Sequence, residues 1–246
     1  MVSRKETAAR IKEFFSFSKQ EIVGLVAAIA VTSLIFSFND WGDESFNLIV
    51  GLKNLFAVII ISSIAFFGRL SFQKIYALKE GYLAEFKVWW VGLIIALVLA
   101  FVSLGRIPLI LIGGVVAAFM VRQRLGEFRY GHSMMNNAII AFWGILGNLI
   151  LAIIFAIFGY YFPNSYFFNK AVLFNIIMAF CALLPLPQLE GLTIFWGSRT
   201  LYYLSVGLTL LAAVLLLTKT KIGLILSIII AIIVLIVISL TNSTKD

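Results

Sequence analysis

Apolar runs of membrane-crossing length recur along the chain, at about 21–38, 47–67, 88–104, 107–121, 138–161, 170–184, 201–218 and 222–240. A helix needs roughly 20 apolar residues to cross the hydrocarbon. The pattern therefore predicts an all-α polytopic membrane protein with about 7–8 transmembrane or re-entrant segments. The run at 107–121 is short and holds Gly113 and Gly114, so it either spans or re-enters. The last two runs are split only by Lys219, Thr220 and Lys221, which predicts a helical hairpin over 201–240. Ahead of the first run, residues 3–19 are basic and place Ile11, Phe14 and Phe15 at helical spacing. That reads as an amphipathic helix on the membrane surface. It is not a cleavable signal peptide, because no small-residue cleavage site follows the first apolar run. The expected organisation is an N-terminal segment over 1–20, one membrane domain over 21–240 and a tail over 241–246.

Composition sharpens this picture. At 62% hydrophobic residues and a mean hydropathy of +1.08, the chain is outside the range of soluble domains. One cysteine, Cys181, excludes an intrachain disulfide framework and a CxxC metal site. A net charge of +8 would suggest nucleic acid in a soluble protein; here it implies basic loops facing anionic lipid. With the N-terminus inside, fourteen Lys and Arg fall in inner segments and four in outer ones, and Lys53 lies within a span. That bias predicts both termini in the cytoplasm, and the acidic loop Asp40–Glu44 outside agrees. Trp89, Trp90, Tyr160 and Tyr161 fall at span ends and read as interfacial anchors.

The chemistry concentrates in CALLPLPQLEGLTIFW, residues 181–196. Pro185 and Pro187 break an apolar run, and Glu190 follows beside Gly191. A carboxylate at membrane depth is costly and marks a candidate functional site; the alternative is an ordinary interfacial loop. PLPQLEG resembles the segment of the site-2 protease family, a group of intramembrane zinc metalloproteases, that carries two prolines and then Leu-Asp-Gly. In that resemblance Glu190 takes the place of the third zinc ligand. Ala182 stands where the family has Asn.

Two further segments carry the likeness. Residues 79–87, KEGYLAEFK, resemble the stretch that follows the zinc helix in archaeal members. AFWGILGN resembles a Gly-Pro-x-x-Asn helix, with Gly144 and Asn148 in place and Ile145 for the proline. The resemblance implies a site-2-protease-like core over about 47–200, in the plasma membrane of an archaeal-like prokaryote. It also implies zinc held on a His-Glu-x-x-His helix. Counting back from AEFK, those five positions are Arg69, Leu70, Ser71, Phe72 and Gln73, so both histidines and the catalytic Glu are missing. The chain has one histidine, His132, in a basic polar loop. Arg69 offers only donors and cannot ligate a cation.

Without zinc, Glu190 must protonate, find water or find a cation. Arg69 can pair with it bidentately, or can snorkel to the cytoplasmic surface. The leading expectation is a non-catalytic pseudoprotease without a metal cofactor. Its partners would be membrane lipid and the transmembrane segments of other proteins, with no nucleic acid. The alternatives are an active zinc metalloendopeptidase that takes ligands from elsewhere, and a transporter or channel suggested by Lys53, Arg69 and Glu190.

Overall fold

A computed structural model describes residues 4–42, 46–119 and 133–243, with side chains through 237. His132, the basic residues at 122–129 and the far part of the acidic loop lie outside the described residues. Helix α1 (Arg4–Phe14) falls within the basic stretch at 3–19, and its Arg10 donates to the carbonyls of Leu78 and Lys79. Helix α2 (Lys19–Ser37) starts at a capping box: Ser18 accepts from the Glu21 amide while the Glu21 carboxylate accepts from the Ser18 amide. Asn47 caps α3 (Leu48–Lys79). The 32 residues of α3 make a helix about 48 Å long. It continues well past the expected span end at 67, so Arg69, Gln73 and Lys74 are helical rather than part of a basic loop.

The chain then departs from the all-helical expectation. β1 (Tyr82–Val88) pairs antiparallel with β2 (Gly113–Phe119), in a register from Tyr82↔Phe119 to Val88↔Gly113. The run at 107–121 is thus partly a strand and is not a helical span. Between the strands lies α4 (Trp90–Val102), whose 13 residues reach about 20 Å. Leu104 and Gly105 at positive φ end that helix, and residues 107–112 lead back. The Trp89 amide donates to the Ile112 carbonyl at 2.8 Å, so the excursion leaves and returns at one point. Residues 88–104 and 107–121 therefore make no net crossing between them.

Helices α5 (Met134–Tyr161), α6 (Tyr166–Ala182), α7 (Glu190–Gly197), α8 (Arg199–Leu217) and α9 (Lys221–Ser243) complete the described chain. Among the described residues α2, α3, α5 and α8 are long and apolar enough to cross a membrane, while α4, α6 and the described part of α9 are shorter apolar helices. The main core joins α2, α3, α5 and α6 through Leu25, Val58, Phe66, Ala152 and Phe174. At one end of this bundle Asp40, after α2, receives Lys170 and the Tyr166 hydroxyl from α6. At the other end a buried pair ties α2 to α3: Lys74 Nζ lies 2.9 Å from Glu21 Oε1.

Candidate site at the start of helix α7

Three side chains meet inside the protein near the end of α3. Arg69 and Gln73 stand one turn apart on that helix, the spacing that brings two side chains onto one face. Both are buried, and so is Glu190, the first residue of α7. Arg69 Nη2 lies 2.6 Å from Glu190 Oε2. Gln73 Nε2 donates to Glu190 Oε1 at 2.7 Å. The expected ion pair forms, but not as a two-pronged fork. One oxygen faces the guanidinium and the other is held by the amide, because Gln73 competes for the same carboxylate. The Nη2–Oε2 contact satisfies no hydrogen-bond geometry, and Arg69 Nη1 has no hydrogen-bond partner among the described residues. The attraction is therefore chiefly coulombic. Arg69 is buried and does not snorkel to the surface.

The loop between α6 and α7 delivers the carboxylate. Pro185 and Pro187 are exposed and prevent α6 from continuing. Gln188 takes a left-handed backbone conformation, and Leu189 is buried just ahead of Glu190. Placing Glu190 in the first turn of α7 also sets it in the positive field of a helix start. Gly191 lets this turn close, since a Cβ there would collide with the Leu183 carbonyl. Gly144, on α5, performs the matching task across the site. A Cβ there would strike the Gln73 amide, with Cδ at 2.6 Å, and would come within 3.1 Å of Glu190 Oε2.

The other motif positions have plainer surroundings. Leu70, in the slot of the general base, packs into the main core. Phe72 stacks with Trp143 at 6.5 Å between ring centroids. Ala182 and Ile145 are buried apolar residues. Asn148 is fully buried, and neither polar atom of its side chain has a partner among the described residues. Gln73 was legible in the sequence only as a lost ligand. Its role as amide donor follows from its spacing of four from Arg69.

This donor set does not suit a zinc ion. Both carboxylate oxygens are engaged, and the nearest group to one of them is a permanent cation. Among the described residues no group of three or more His, Cys, Asp or Glu gathers at a common point. The arrangement neutralises one buried charge with another.

No family model matches the chain, and no solved structure matches it. Among curated proteins it is similar to a protein of Methanocaldococcus jannaschii named "Putative zinc metalloprotease MJ0611". The two are 27% identical over 181 residues, which cover 72% of this chain and 84% of that protein. The chain is thus a helical, membrane-type protein with a metalloprotease-like relative along most of its length.

Proposed function

We propose that this protein is a non-catalytic member of the site-2 protease group, one that binds or regulates membrane-embedded segments of other proteins. One observation carries the reading: Arg69 and Gln73 hold both oxygens of Glu190, where the resemblance expects zinc to hold a carboxylate. A hydrolytic water needs a metal or a base, and Leu70 provides neither. The likeness in three segments, with the expected zinc-binding positions occupied by Arg69, Leu70 and Gln73, supports binding over turnover. The purified protein is expected to contain no stoichiometric zinc and to leave transmembrane model substrates intact. Near one zinc per chain, removable by a chelator with loss of cleavage, would overturn this. Photo-crosslinking side chains at the exposed positions Leu186 and Trp196 are expected to capture transmembrane segments of other proteins in native membranes. Capture of lipid or solute alone would instead point to transport.

Both termini are proposed to be cytoplasmic, on the basic bias and on the return of residues 89–112 to their starting point. Reporters fused at residue 40 and at the C-terminus should then report opposite sides. Agreement between them would require an odd number of crossings and would refute the arrangement.

A further inference from the structure

Far from Glu190, α5, α6 and the α8–α9 turn enclose a cavity of about 460 Å³, within the range of roughly 300–1,000 Å³ typical of ligand sites. Along α5, the 16 residues from Gly144 to Tyr160 span about 24 Å, so this cavity lies at the opposite end of the bundle. Most of its lining is apolar, Ala156, Val172, Leu216 and Leu224 among it, with Asn169 and Tyr161 adding polar groups. Its mouth is different in character. Lys219 and Thr220 line it, and Lys221 holds its ammonium 5.6 Å from the Tyr160 ring centroid. Lys219 takes a left-handed conformation, at φ 52°, which turns the chain sharply from α8 into α9. Among the described residues neither Lys219 nor Lys221 makes an ion pair, whereas nearby Lys170 is paired with Asp40 at 2.6 Å. These two lysines are also half of the four cations on the side that the charge bias places outside. An end of the bundle otherwise poor in cations thus carries two unneutralised ones beside an apolar chamber.

We infer that this cavity holds one anionic phospholipid, its acyl chain against Ala156, Val172, Leu216 and Leu224 and its phosphate between Lys219 and Lys221. Charge and shape together select that occupant. A free phosphate would leave the apolar walls unused, and a zwitterionic lipid would leave the lysines without net countercharge. Lysines close to a membrane surface attract anionic headgroups on these grounds. The chamber, bounded by four helices, admits a chain-like ligand from the bilayer rather than a folded partner.

The test reconstitutes the full chain in vesicles of phosphatidylcholine, alone or mixed with phosphatidylglycerol, and counts the lipids retained after detergent extraction by native mass spectrometry. One phosphatidylglycerol per chain is expected, with no comparable retention of phosphatidylcholine. Lys219→Gln and Lys221→Gln should each weaken retention about fivefold. Ala156→Phe should abolish it with both lysines intact. Unchanged circular dichroism and melting temperature would show that the lysine variants are folded. Equal retention of the two lipids, no lipid retained, or phosphatidylglycerol retained undiminished by the double lysine variant would each overturn the assignment. So would displacement of the bound lipid by inorganic phosphate alone, which would mark a simple anion site.

Discussion

Arg69→Met should lower stability by roughly 3–5 kcal/mol, because it strands a buried carboxylate. Glu190→Leu should cost a similar amount by stranding the guanidinium. The double variant should recover most of the loss, since replacing a buried pair with apolar groups is often close to neutral. Recovery stops short of complete for a reason visible in the site. Gln73 loses its acceptor in the double variant, and an unsatisfied buried amide costs about 1–3 kcal/mol. Adding Gln73→Leu should remove that remainder. Melting in detergent would measure all five variants, counting Gln73→Leu alone. An exposed pair would show coupling of only about 0.2–1 kcal/mol. Additive single effects would mean that the three side chains are neighbours without being an energetic unit.

Lys74→Met should be about as damaging, at roughly 3–5 kcal/mol, but its consequences should appear elsewhere. The Lys74 ammonium reaches Glu21, the Ser16 carbonyl at 3.0 Å and the Ala84 carbonyl at 2.9 Å. Glu21 in turn accepts from the Phe86 amide at 2.7 Å and the Ser18 amide at 2.8 Å. Four parts of the chain converge on this pair: the linker after α1, α2, α3 and β1. Its loss should therefore release β1, seen as faster hydrogen exchange at the Phe86 amide, which Arg69→Met should leave protected. If Phe86 exchange is unchanged in Lys74→Met, the pair does not anchor the sheet.

The charge pair at Glu190 was legible through the family resemblance, which implies a zinc ligand at Glu190 and another at Arg69, and so leaves one carboxylate in need of a cation and one arginine within its reach. The other buried pair was not. Glu21 looks like an ordinary helix-start residue and Lys74 like one basic residue among several, and 53 positions separate them. No local pattern marks two distant residues as partners. The sheet was half legible. Tyr82, Ala84 and Phe86 are buried while Glu85 and Lys87 are exposed, an alternation of period two that AEFK carries openly. GGVVAAF, its partner, has no such alternation, and a short apolar run does not distinguish strand from helix. The turn at residues 104–105 was legible as the break between the runs at 88–104 and 107–121, where Gly105, Arg106 and Pro108 interrupt the apolar stretch, but no local pattern says that the chain returns beside its starting point.

The two buried pairs also fix how α3 can move. Successive residues turn by about 100°, so Arg69 and Gln73 lie about 40° apart in azimuth and Lys74 about 140° from Arg69. One carboxylate grips the helix from α7 and the other from α2, on clearly different flanks. A rotation that eased one pair would pull the other open, and an axial slide would strain both. Helix α3 is thereby keyed against twisting and pistoning alike. Any message that crosses this protein along α3 must carry α2 and α7 with it as one body, or break a buried charge pair to pass.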